Sequence, residues 1–209
     1  MLGRSPVKFD PFSLSWIGSI STSTAIALSW HVARVRTFED LLKNDLLVPG
    51  TGAGADTQIV PQAINNLVGT RFKIIPGYQN ILQAAQPAWP PEKKVNVLFH
   101  TGRKQPPELP SVPMIRELAK SKVDAQALEF ILARELISRL FVGPPGVPPE
   151  RTLALQAAFL ATMQDPQFIL EAKKMQLDID PLSGDEVVDI LRKAAASPPD
   201  VLERVVRST

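Results

Sequence analysis

The chain has 209 residues, 44% of them apolar, a net charge of +2 and no cysteine. That length suffices for one sizeable domain or two small lobes. Without cysteine there is no thiol catalysis, no disulfide and no cysteine metal site, and the slight positive excess is spread along the chain, which gives no electrostatic case for nucleic acid.

The N-terminus, Met1 to Asp10, carries neither the apolar core nor the small-residue cleavage site of a signal peptide. No apolar stretch approaches the roughly 20 residues of a membrane span. Read from Met1 as the start, the chain is expected in the cytoplasm.

In chain order, Ser15 to Ser19 and Ala25 to Trp30 read as two short strands around a Ser/Thr-rich turn. Thr37 is placed to cap a helix beginning at Phe38, with Glu39 and Asp40 in its first turn. A strand at Leu46 to Val48, a helix over 56–67 and a strand at Phe72 to Ile75 form a βαβ unit, for which parallel strands are expected. The turn Pro76 to Asn80 leads to a short helical pattern that stops at the prolines around Trp89, and another strand follows at Val95 to Phe99.

The second half is dominated by helical periodicity, predicting helices over 112–120, 124–136, 149–163, 166–175 and 184–195. Leu140 to Arg151 reads as a strand leaving through a Pro/Gly turn into a helix whose first turn tolerates proline. Leu177 to Asp180 alternates as a short edge strand would. Together these elements indicate an α/β fold with a helix-rich C-terminal part.

The most informative run is Gly50-Thr51-Gly52-Ala53-Gly54-Ala55-Asp56, where a strand ends in alternating glycines and enters a helix. Glycine allows sharp turns and close approach of the backbone, and a helix N-terminus offers N–H groups and positive dipole to an anion. The same run also fits an ordinary strand-to-helix connection. A P-loop would need Lys and Ser or Thr after Gly54, where Ala55-Asp56 stands. The dinucleotide fingerprint survives only in its looser form, with Ala55 in place of the last glycine. Asp56 puts negative charge beside the seat, which disfavours a highly charged phosphate. It is a candidate helix cap or an orienting group for a ligand hydroxyl.

Elsewhere the chemistry is sparse. His31, after Trp30, reads as a surface or packing residue, and His100 sits at a strand end from which a cleft is reachable. No hydrolase or metal motif occurs, so neither catalytic residues nor a metal or other cofactor is expected. Trp16, Trp30, Phe9 and Phe12 read as packing residues, while Arg71 and Lys73 beside Phe72, and the charges of Glu171 to Lys174, read as solvated faces.

Taken together the motifs resemble the substrate-binding proteins of tripartite tricarboxylate transporters, the Bug-type periplasmic solute receptors. In order they are Phe9-Asp10-Pro11, Trp16-Ile17-Gly18-Ser19, Trp30-His31, Val35-Arg36-Thr37-Phe38-Glu39-Asp40-Leu41, the glycine run with Thr57, Leu67-Val68-Gly69-Thr70-Arg71-Phe72-Lys73 and Pro76-Gly77-Tyr78. Then come Glu108-Leu109-Pro110-Ser111-Val112-Pro113, Phe141 to Arg151, and Met163-Gln164-Asp165-Pro166.

The resemblance implies a periplasmic two-lobed clamshell in which backbone amides and small hydroxyls of two glycine-containing loops hold a ligand carboxylate, without catalysis, for delivery to membrane transporter subunits. It carries over Gly50, Thr51, Gly52, Ala53, Gly54, Ala55 and Asp56 as the second lobe's loop, with Gly77 and Tyr78 as the turn after the next strand. Residues 12–110 then correspond to the second lobe, and 111–209 to a helix-rich crossover and the C-terminal part of the first lobe. Against that family the chain is expected to be truncated before its first strands and shortened between Tyr78 and Val95. Helices from Pro149 onward would then leave Leu153, Leu155, Phe159 and Leu160 uncovered, which favours self-association. Two other classes stay open: an α/β enzyme binding a phosphorylated substrate at Gly50 to Gly54, and a non-binding interaction protein.

Overall fold

The computed structural model describes residues 10–52, 54–76, 95–102, 105–106, 109–175, 177 and 179–209. Seven strands are named among them: β1 (Ser15–Ser19), β2 (Ile26–Trp30), β3 (Leu46–Gly50), β4 (Phe72–Pro76), β5 (Val95–His100), β6 (Leu140–Gly143) and β7 (Leu182–Ser183). The α-helices are α1 (Phe38–Lys43), α2 (Asp56–Val68), α3 (Lys122–Leu136), α4 (Pro149–Gln164), α5 (Pro166–Lys174), α6 (Gly184–Ala195) and α7 (Pro199–Ser208).

The chain divides into two compact units, one holding residues up to Ser23 with Leu132–Ser197, the other Thr24–Ile131 with Pro198–Thr209. The cuts thus fall after Ser23, within α3 and after Ser197, whereas the resemblance draws one cut after Pro110.

In the first unit β1 is the centre of a three-stranded antiparallel sheet, between β6 and β7. Gly18 sits at the crowded point. A Cβ there would lie 2.7 Å from the Leu182 carbonyl oxygen and would overlap the Phe159 ring of α4. Phe159 is buried and also meets Phe141 of β6, ring centres 5.4 Å apart. The expectation that Phe159 lies uncovered is therefore corrected: β1 covers it. Leu153 and Leu155 of α4 are exposed. The Pro/Gly turn after β6 behaves as expected, with Pro149 opening α4, and α6 starts with a capping box between Ser183 and Glu186.

The second unit holds an antiparallel pair, β2 with β5, and a parallel pair, β3 with β4. Phe38, Phe72 and Phe99 meet edge to face at ring separations of 6.3 and 6.1 Å. Around them Val35, Leu41, Ile64, Leu67, Leu98, Ile115 and Leu128 are fully buried. Thr37 caps α1 as expected, in a reciprocal box with Asp40. The βαβ unit also stands, Leu46 pairing with Phe72 and Gly50 with Pro76 in parallel.

Several expectations are corrected. The strands at 15–19 and 25–30 do not pair with each other; they belong to different sheets because each finds its partner far along the chain. The helix expected over 112–120 shrinks to a 3-10 turn at Ile115–Leu118, since Pro113 has no N–H to give and biases the residue before it away from helix. The short strand near 180 lies at Leu182–Ser183, not 177–180, of which Asp178 is outside the described residues. The last helix, α7, has no counterpart among the elements expected from sequence. The segment from Gly77 to Lys94, with its expected turn and helix, lies outside the described residues.

Candidate functional site

The glycine loop joins β3 to α2 at the C-terminal edge of the parallel pair, the edge at which open α/β sheets place ligands. Gly50, the last residue of β3, is buried; a Cβ on it would come within 3.0 Å of Ile74 Cγ2 and 3.8 Å of Gln58 Cβ. Beyond it the backbone turns through two positive φ values, 152° at Gly52 and 82° at Gly54, and among the described residues nothing lies within 4 Å of where a Cβ would stand at either position. Glycine is thus required there by backbone conformation, while at Gly50 it is required by packing.

Two threonines clasp the loop. The Thr51 N–H donates to Thr57 Oγ1 at 2.9 Å, and the two hydroxyl oxygens lie 2.8 Å apart. The Ala55 N–H donates to the Gly52 carbonyl at 3.1 Å, and the N–H groups of Gln58 and Ile59 both donate to the Ala55 carbonyl at 2.9 Å. So the amides of Thr51, Ala55 and Gln58 are satisfied inside the loop. The N–H array expected from sequence narrows accordingly.

Ala55 is the N-cap of α2 and supplies no side-chain cap. Asp56 is the first residue inside the helix, exposed, so the capping role considered for it is corrected: its carboxylate acts on the helix dipole from the first turn. Pro61 stands inside α2. It has no N–H for the Thr57 carbonyl, which loosens the first turn further. Ala53, Gly77 and Tyr78 lie outside the described residues, although Pro76, which precedes Gly77, pairs with Gly50.

Sequence reasoning missed Thr57 as the partner of Thr51, and it missed Gln58. The Gln58 Oε1 atom is buried with no hydrogen-bond partner among the described residues, on the turn of helix that faces Gly50. A buried amide oxygen of this kind calls for a donor. Thr57 stood in the sequence only as the end of the glycine-run motif, and the signal for Gln58 was no more than its position in the helix's first turn.

The other candidates resolve clearly. His31 is exposed and its ring lies 5.2 Å from that of Trp30. His100 is fully buried in β5, paired with Ile26 of β2, with Nε2 3.4 Å from Gln105 Oε1; the expected exposure to a cleft is corrected, because an antiparallel neighbour and the Met114 bridge enclose that strand end. Trp16 packs, donating from Nε1 to the Pro11 carbonyl at 2.8 Å. Trp30 and Phe12 are about half exposed, at 47% and 45%, so packing does not account for them; Phe9 lies outside the described residues. Arg71 and Lys73 are solvated as expected and share Asp45, at 2.7 and 3.8 Å. The hydrogen bond from Arg71 holds the Asp45 carboxyl below its ordinary value. No cluster of metal-binding side chains occurs among the described residues.

No protein-family model matches the chain, and no curated protein matches it significantly. Solved structures do. A TctC solute-binding protein from Polaromonas, without ligand, is 14% identical over 96% of this chain and 72% of its own, with a TM-score of 0.65. The periplasmic binding protein BugD is 15% identical over 96% and 71%, TM-score 0.57. R. palustris Rpa4515 with adipate is 16% identical over 95% and 68%, TM-score 0.54. The chain has the fold of these solute-binding proteins, in agreement with the resemblance seen in its motifs.

Proposed function

We propose that the protein is a solute-binding receptor for a small carboxylate, held at the β3–α2 glycine loop. One observation carries the reading: the loop lies at the edge of a parallel strand pair, with positive-φ glycines at 52 and 54 whose Cβ positions no described residue approaches within 4 Å. Such a backbone can close on one carboxylate without a cationic side chain. The buried Gln58 oxygen suits a ligand carrying a hydroxyl or amide donor as well. In this reading Gly50, Thr51, Gly52, Ala53, Gly54, Ala55, Asp56, Gly77 and Tyr78 form the ligand's surroundings. The ligand is passed unaltered to membrane transporter subunits, and the protein acts in the periplasm.

The likeness in fold to solute-binding proteins, one of them solved with adipate, supports the reading. A thermal-shift screen of the full chain across mono-, di- and tricarboxylates, aromatic acids and acidic amino acids tests it. Stabilisation that rises with carboxylate concentration is the expected result. Tight binding of nucleotides or sugar phosphates in place of carboxylates would favour the enzyme alternative and sink this one.

A further inference from the structure

The helix that carries the loop is unevenly secured. Its first turn has no side-chain cap and faces Pro61, as described, while its last turn is tied down at successive carbonyls. The Asn65 carbonyl accepts from the Gly69 N–H at 3.0 Å, that of Leu67 accepts from the Lys120 N–H at 3.3 Å, and that of Asn66 accepts from Arg204 Nη2 at 2.9 Å. Arg204 belongs to α7. Its Nε also donates to Asp124 Oδ1 at 2.6 Å, and the other oxygen of that buried carboxylate accepts from Ser121 Oγ at 2.8 Å. Asn66 returns the bond, donating from Nδ2 to the Ser208 carbonyl at 3.0 Å.

One guanidinium therefore joins three elements: it neutralises a buried acid at the start of α3, caps a carbonyl at the negative end of α2, and anchors α7. Beyond this fork α7 buries Val201, Val205 and Ser208. A helix of ten residues does not persist in water by itself. Chain-terminal elements are among those that open locally in folded proteins.

We propose that α7 is a detachable strap, fastened by Arg204, whose docking keeps α2 and the glycine loop ahead of it in order. Release takes the cation and the Ser208 carbonyl from the end of α2, and the weakly capped first turn loosens in response. The effect on ligand affinity rests on the receptor reading above; the effect on order does not.

Hydrogen–deuterium exchange on the full chain tests this with Arg204→Met and Asp124→Asn. Both are expected to speed exchange at least tenfold in α7 and also in residues 56–59, with less than a twofold change in β2, β5 and the first unit, and with a cooperative melt. Arg204→Lys, which keeps the charge but loses the planar fork, is expected to show the same pattern at smaller amplitude and serves if the methionine variant does not fold. Faster exchange confined to α7 would overturn the proposal, because α7 would then fray without consequence. A uniform rise across the chain would overturn it too. The carboxylates of the thermal-shift screen, titrated into the unsubstituted protein, read binding separately: no binding by any of them, together with the localised exchange pattern, leaves the strap standing and removes the receptor reading.

Discussion

Asn65 of α2 treats Phe72 of β4 as a neighbouring strand would: its Oδ1 accepts the Phe72 N–H and its Nδ2 donates to the Phe72 carbonyl, both at 2.8 Å. The same Oδ1 accepts from Thr70 Oγ1 at 2.8 Å. One amide thus fixes the turn between helix and strand and sets where β4 begins its parallel register with β3.

Removing that amide leaves a backbone donor and acceptor beside the buried Phe72 ring without partners. Asn65→Ala is expected to lower unfolding free energy by about 2 kcal/mol. Asn65→Asp keeps the acceptor, loses the donor and is expected to cost less. Urea denaturation of the two variants beside the parent chain gives the comparison.

Glycine at 52 and 54 is a conformational requirement, since among the described residues nothing within 4 Å would meet a Cβ at either position. Gly52→Val and Gly54→Val are expected to leave the circular dichroism spectrum unchanged and to weaken carboxylate binding roughly five- to thirtyfold, because a β-branched residue pays about 1–2 kcal/mol to hold a left-handed backbone. Asp56→Asn is expected to keep or strengthen binding by removing a negative charge from the seat. Isothermal titration reads all three. Unchanged affinity in both folded valine variants would move the site elsewhere.

Gly18 makes the opposite demand, for space. Gly18→Ala drives a methyl group into the Phe159 ring and the Leu182 carbonyl, at an expected cost of about 1–3 kcal/mol. Adding Phe159→Leu is expected to recover only part of the loss, as the carbonyl belongs to the β7 backbone and cannot turn aside. Thermal melts of the single and double variants show whether it does.

Acid is expected to loosen α1. The N–H of Arg36, then that of Thr37, hold the Asp40 carboxyl below its ordinary value of 3.8. A carboxyl lowered on folding stabilises the fold above its unfolded value, and that contribution is lost as pH falls through the folded one. Melting temperature should therefore drop as pH falls below about 4, and Asp40→Asn should flatten part of that fall. The Arg71 partner of Asp45 adds a second contribution of the same sign. An identical pH profile in Asp40→Asn would remove the capping box from the explanation.

Local structure was legible wherever residues a few positions apart decide it. Thr37 with Asp40, and Pro149 at the start of α4, mark helix starts through bonds and φ angles that neighbours alone set. The glycine run marked the loop for the same reason, since φ at 52 and 54 is a property of the chain itself. Thr57 and Gln58 stayed hidden because their roles depend on what folds back onto them. α7 escaped for a related reason: its short apolar stripe of Val201 and Val205 has meaning only against α2.

Apart from α7, β7 and the 3-10 turn at Ile115–Leu118, the sequence by itself determined the order of the strands and helices among the described residues, the parallel β3–α2–β4 unit and the position of its glycine loop, all consequences of short-range periodicity and backbone freedom. Only the tertiary structure decided which strands pair, sending β1 to β6 and β7 and β2 to β5, because pairing depends on surfaces more than 60 residues apart in the chain, as between Ile26 and His100. It also decided that His100 is enclosed and that Arg204 secures the far end of α2. Burial and long-range hydrogen bonds arise from packing, and no local pattern encodes them.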